Sequence, residues 1–224
     1  GQRPQRPAVD HVDALACQHH PAGVFEALEQ PGHDLAHGAK VIGQCLVRGK
    51  HAGAVAEQGA SQSLVEPLEG HRLGQRHQVG LARMFGINLT GSFLCAREAV
   101  RRMSTVHGGS GGSIVNVSSV AARLGAPGQY VDYAACKGAI DTFTVGLARE
   151  VADEGIRVNA VRPGIIDINI HASGGQPDRA QRLANTIPMQ RPGQADEIAQ
   201  AIVWLLGNGA SYTTGAILDV SGGR

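Results

Sequence analysis

A chain of 224 residues suits one α/β domain or two small ones, and its net charge of +1 gives no electrostatic case for a nucleic-acid or membrane partner. Cys17, Cys45, Cys95 and Cys136 are widely spaced, with no C-x-x-C or metal-ligand pattern, so a reduced cytoplasmic setting is expected and no metal site. No apolar run approaches the ~18 residues of a membrane span, and no apolar leader core follows the first arginines.

Residues 1–82 show little order. They hold eight of the ten histidines, and Phe25 is the only aromatic before Phe85. Val41-Ile42 with Leu46-Val47 suggests a strand, and Gly23 to Leu28 a helical turn or two. Neither run sustains a period of 2 or 3.6. No glycine spacing here matches a phosphate-cradling turn. His11 and the pair His19-His20 lack the grouping a metal needs and read as a solvated segment.

From residue 83 the pattern becomes regular. Phe85, Leu89, Phe93, Leu94, Val100 and Met103 recur at helical spacing through residues 83–105. Gly108 to Gly112 reads as a flexible turn. Ser113 to Ser118 is a short β-branched run suited to a buried parallel strand. Ile140, Phe143, Leu147 and Val151 stripe a helix over 131–153, which Gly155 stops. Arg157 to Val161 is the next strand, ended by Pro163-Gly164. Ile165 to Arg191 is a long mixed connection of the kind that covers a site. Ala195 to Leu206 is an amphipathic helix, and Ala216 to Val220 a last strand. Alternating helices and strands predict half of a doubly wound parallel sheet.

Tyr133 and Lys137 lie four apart on the second long helix, which puts them on one face with Cβ atoms roughly 5–6 Å apart. A free tyrosine titrates near pH ~10, too high for ready proton exchange at neutral pH. A cation about 4 Å away is worth on the order of 4 kcal/mol at an effective dielectric near 20. Part of that would turn the phenol into a usable acid and base.

Asn88-Leu89-Thr90-Gly91, Ile114-Val115-Asn116-Val117-Ser118-Ser119, Tyr133-x-x-x-Lys137 and Arg162-Pro163-Gly164 resemble, in order and spacing, the short-chain dehydrogenase/reductases. Tyr212-x-x-Gly215 and Leu218 to Gly223 resemble that family's ending, so the likeness covers residues 83–224. It implies a Rossmann-like α/β fold, an NAD or NADP cofactor, a small alcohol or ketone substrate, and a homo-oligomer (dimer or tetramer) joined through helices 83–105 and 131–153. It further implies that Tyr133 exchanges a proton with the substrate oxygen while hydride passes to or from nicotinamide. Lys137 would lower the Tyr133 pKa and bind the nicotinamide ribose. Ser119 would hold the substrate oxygen, with Ser118 as its rival, and Asn88 would fix a water linking Lys137 to solvent. Pro163, Gly164 and Ile166 would shape the nicotinamide pocket. Each has a plain structural alternative: a turn serine at 119, a satisfied helix amide at 88, an ordinary strand-ending turn at 163–164.

The departures lie mainly in the first half. The family's T-G-x-x-x-G-x-G turn, its acidic adenine-binding residue and its N-N-A-G strand end do not occur in residues 1–82. Cys136 replaces the usual small serine, and Ile168 stands where a threonine is common. An out-of-frame stretch, a divergent fold supplying three strands, or a non-catalytic relative would each account for residues 1–82.

Overall fold

The computed structural model describes residues 39–42, 45–49, 78–168 and 178–224. The expected turn at Gly23–Leu28 and the histidines at 11, 19 and 20 lie outside them. Five strands form one sheet in sequence order: β1 (Ala39–Ile42), β2 (Cys45–Gly49), β3 (Gly112–Val117), β4 (Ile156–Pro163) and β5 (Ile217–Val220). β3, β4 and β5 are parallel, with Val117 opposite Val161 and Pro163 opposite Val220. This is the parallel α/β arrangement expected of residues 83–224.

Residues 41–47 differ from the single strand expected. They belong to two antiparallel strands, Ile42 opposite Cys45, and β2 runs antiparallel to β3 with Cys45 opposite Asn116. Two strands joined across residues 43–44 can only pair antiparallel; a parallel neighbour needs a crossover of a dozen or more residues. β3 to β5 thus form the parallel part expected of residues 83–224, and β1 and β2 extend it as an antiparallel pair.

The helices are α1 (Gln78–Phe85), α2 (Gly91–Met103), α3 (Ala121–Leu124), α4 (Val131–Glu150), α5 (Arg179–Leu183) and α6 (Ala195–Leu206). The stripe expected over 83–105 begins earlier and is interrupted by one π turn, Gly86–Thr90. α2 and α4 cover one face of the sheet, where Ala96, Ala99, Met103, Ile114, Ala148, Val151, Ile156 and Val158 form a buried core. α6 covers the other through Val115, Val161, Ile202, Leu205 and Leu206. Side chains along β3 alternate accordingly, Ile114 and Asn116 toward α4, Ser113 and Val115 toward α6. Each fully buried aliphatic side chain contributes about 1.5–3 kcal/mol.

The polar groups in these layers are paired across elements. Asn116 Nδ2 donates to Thr144 Oγ1 at 2.9 Å, joining β3 to α4. Arg157 donates to the carbonyls of Leu205 (2.8 Å) and Gly207 (3.1 Å), a cation on the negative end of α6. At its start, α6 carries a capping box in which the Gln194 amide donates to Glu197 at 2.8 Å. The glycine turn at 108–112 is tighter than expected: a Cβ on Gly109 would strike the Met103 backbone.

Candidate active site

β3 ends at Val117, and the chain turns outward through Ser118 and Ser119 at the carboxyl edge of the parallel strands, where ligands of open α/β sheets sit. The two serines do different things. Ser118 is buried; its amide donates to Val161 O at 2.8 Å and its hydroxyl to Lys137 O at 3.2 Å. It fastens β3 to α4. Ser119 is half-buried, its Oγ accepts the Ala121 amide at 3.1 Å, and its hydroxyl meets the Tyr133 phenol. The turn-serine alternative is thus true of Ser119, yet the same hydroxyl reaches the phenol.

Tyr133 and Lys137 stand one turn apart on α4. The Lys137 ammonium lies 5.4 Å from the Tyr133 ring centroid and donates to Val117 O at 2.8 Å. Lys137 is only 1% exposed, which makes it the largest fully buried side chain described. Burial pushes its pKa down to about 7, against the upward pull of Cys136 and Asp141. The expected lowering of the Tyr133 pKa is not what the site shows. Burial raises the phenol, the Ser119 hydrogen bond opposes this, and Cys136 adds to the rise. The lysine's field is weakened because its own charge is costly to bury. Cys136, which stands where the family usually has a serine, is itself buried, and burial pushes its thiol up as well.

Asn88 lies at the centre of the π turn, which packs against α4. Single π turns inside helices often mark functional sites because the extra residue redirects side chains. Asn88 is buried, and its Nδ2 donates to Met84 O at 3.2 Å and Met84 Sδ at 3.1 Å. The satisfied-amide alternative describes those donors.

Pro163 closes β4, and its carbonyl accepts the Val120 amide at 3.1 Å, tying the strand end to the Ser118-Ser119 turn. Gly164 donates to Val220 O at 3.0 Å; a Cβ there would sit 2.8 Å from Ser221 Cα. Only glycine permits that approach. Ile166 is buried and bridges to Gly193, whereas Ile168 is exposed. Ile166 also lines a cavity of about 400 Å³ with Ile165, Met189, Gly193 and Ser221; Ser119, Tyr133 and Lys137 do not line it. The structure brings Ser119, Tyr133 and Lys137 together at the end of β3.

Sequence reasoning passed over a chain of charges beside these residues. Arg162 grips Asp141 Oδ2 through Nε (2.9 Å) and Nη2 (2.8 Å), and reaches Asp219 at 3.4 Å. Arg123 binds the other oxygen of Asp219 at 2.7 Å. The available signal was an aspartate one turn after Lys137 on the same helix.

Among the described residues no group of three His, Cys, Asp or Glu is placed to hold a metal, and no helix is long and apolar enough to cross a membrane. The donor set fits a nicotinamide ribose and a carbonyl or alcohol oxygen: two adjacent hydroxyls and one buried ammonium at a sheet edge.

Comparison with known proteins agrees. The family model described as enoyl-(acyl carrier protein) reductase matches residues 49–224. The chain is 59% identical over 164 residues to the uncharacterized oxidoreductase YgfF of Escherichia coli K12, covering 73% of this chain and 63% of that protein. Among solved structures it resembles acetoin dehydrogenase YohF from Salmonella typhimurium, with 34% identity and a TM-score of 0.60 over 71% of this chain and 61% of that one. ElxO with NADP bound gives 31% identity and a TM-score of 0.60 over 68% and 60%. The matched part spans less than two thirds of each of these proteins. With its ordered motifs, its parallel sheet and these likenesses, the chain belongs to the short-chain dehydrogenase/reductase family.

Proposed function

We propose that this chain carries the catalytic part of an NAD- or NADP-dependent oxidoreductase that interconverts a secondary alcohol and a ketone. One observation carries the reading: the Ser119 hydroxyl meets the Tyr133 phenol at the sheet edge, with the Lys137 ammonium buried one helical turn away.

When bound, the nicotinamide supplies or accepts the hydride. Everything else falls to the chain. Ser119 donates a hydrogen bond to the substrate oxygen, favouring the negative charge that grows there. Tyr133 gives that oxygen a proton during reduction and takes it back during oxidation. Lys137 holds the ribose and offsets the charge left on the phenol. Asn88 links Lys137 toward solvent, and Pro163, Gly164 and Ile166 bound the nicotinamide side. We place residues 1–82 apart from the catalytic part in 83–224, the protein in the cytoplasm, and a homo-oligomer contact on helices 83–105 and 131–153, where Phe85 and Phe93 are exposed.

A second reading rests on a different observation: residues 1–82 contain no glycine-rich dinucleotide turn. On that reading the chain is a non-catalytic relative, or the product of a gene error, that keeps the family's packing surfaces. The test is loss of nicotinamide absorbance when mass-verified protein meets NADH or NADPH and a panel of small ketones. Turnover that reverses with the matching secondary alcohol supports the first reading. A folded protein without turnover at millimolar cofactor supports the second.

A further inference from the structure

We propose that Asp141, gripped by Arg162, is the third member of a Tyr133–Lys137–Asp141 column on α4 and favours the charged form of Lys137, with Arg162 as its positioning partner. The proposal deepens the catalytic reading of Lys137 and rests on it for its functional meaning, but not for its test.

The geometry begins with the helix. Residues 133, 137 and 141 repeat every four positions, so they share one face of α4. Long helical side chains lean toward the N-terminus, over the preceding turn. The Lys137 ammonium lies 5.4 Å from the Tyr133 ring centroid, and Asp141 follows Lys137 by one turn of the same helix. Asp141 is 7% exposed. Its Oδ2 takes both bonds from Arg162, and its Oδ1 has no hydrogen-bond partner among the described residues. Its field acts upward on the lysine proton affinity, against the larger effect of burial.

Other described groups stand near Lys137 as well. On α4 itself stand Tyr133, Cys136 and Asp132, of which Cys136 also pulls the lysine upward. The end of β3 offers the Val117 carbonyl and Ser118, and the π turn offers Asn88, all neutral. From β4 comes Arg162, and behind it Asp219 of β5 and Arg123 of α3. Arg162 has two opposed effects. It fixes Asp141 in place, and its positive charge partly masks Asp141 from Lys137.

Removing each partner should thus move Lys137 in opposite directions, which a merely structural role does not do. The chain has three lysines, Lys40, Lys50 and Lys137, so ε-13C-lysine labelling gives three resolvable signals. The Lys137 signal is assigned as the one lost in Lys137→Met and followed from about pH 5 to about pH 11, the span of a perturbed lysine titration. In Asp141→Asn its midpoint should fall by about one unit, the usual effect of losing one nearby opposite charge. In Arg162→Gln it should rise. Asp141→Glu and Arg162→Lys keep the charges and should stay near wild type. If Asp141→Asn does not fold, Asp141→Ser serves, being smaller and equally uncharged. Shifts of the same sign in the Asp141 and Arg162 variants, or no shift in either, would overturn the proposal. The readout needs neither cofactor nor turnover, so an inactive protein whose Lys137 responds this way refutes the catalytic reading and leaves the column standing.

Discussion

The Lys137 ammonium sits 5.4 Å from the Tyr133 ring and is anchored 2.8 Å from the Val117 carbonyl, so the last residue of β3 fixes the cation of the site. Lys137 buried this way has a pKa near 7, against 10.5 for a free lysine. Between those values the unfolded chain binds the proton and the folded chain does not. Unfolding free energy therefore rises with pH across that window, by at most about 1.4 kcal/mol per pH unit, and is flat below it. The difference between wild type and Lys137→Met in urea titrations should show that slope up to about pH 10, where tyrosine begins to ionise. A flat difference would mean that the lysine titrates normally.

Ser118 and Ser119 should separate cleanly. Ser118→Ala loses the bond to the Lys137 carbonyl and should cost about 1 kcal/mol of stability. Ser119→Ala loses the bond from the Ala121 amide at a similar cost in stability, and should in addition lower kcat by roughly 10²-fold or more, since a donor to a developing oxyanion is lost. Thermal melts and steady-state kinetics on both variants decide the assignment; equal kinetic losses would show that Ser118 shares the role.

Gly164→Ala forces a Cβ to within 2.8 Å of Ser221 Cα, where β4 and β5 end together. Overpacking against backbone costs about 1–3 kcal/mol and should displace the Pro163-Gly164 turn. Lower thermal stability with a raised KM for the nicotinamide cofactor is expected. An unchanged melting temperature would show that the turn relaxes freely.

Cofactor affinity should be weak. A pyrophosphate at a helix N-terminus gains several charge-assisted hydrogen bonds, each worth about 1.5–3 kcal/mol, and residues 1–82 contain no glycine-rich turn to supply them. NADH and NADPH should bind at least about tenfold more weakly than to relatives that have the turn. A micromolar dissociation constant, read by nicotinamide fluorescence, would contradict this.

Where the sequence carried strong periodicity, the fold was legible. The stripe ending at Val151 marks α4, and the amphipathic run from Ala195 to Leu206 marks α6. The strand suggested at Val41-Ile42 with Leu46-Val47 was there, but its split into two antiparallel strands was not legible, because strands this short carry no sustained pattern of their own. The π turn at Asn88 was hidden too, since one extra residue in a helix leaves the apolar stripe nearly intact. Ser119, Tyr133 and Lys137 were visible as a spaced set. Their direction of pKa shift was not, because spacing reports proximity and says nothing of burial. Arg162 and Asp141 escaped notice for a related reason: they lie 21 residues apart and meet only through the β4–α4 packing.

The most direct test of the catalytic reading compares wild type with Tyr133→Phe in NADPH- and NADH-dependent ketone reduction, at cofactor concentrations high enough to overcome weak binding. Phenylalanine keeps the ring beside Lys137 and removes the hydroxyl that carries the transferable proton and meets Ser119. The expected result is measurable turnover in wild type and a loss of about 10²-fold or more in the variant, with unchanged folding. Equal turnover in the two proteins would remove Tyr133 as the acid and base and contradict the mechanism built on it.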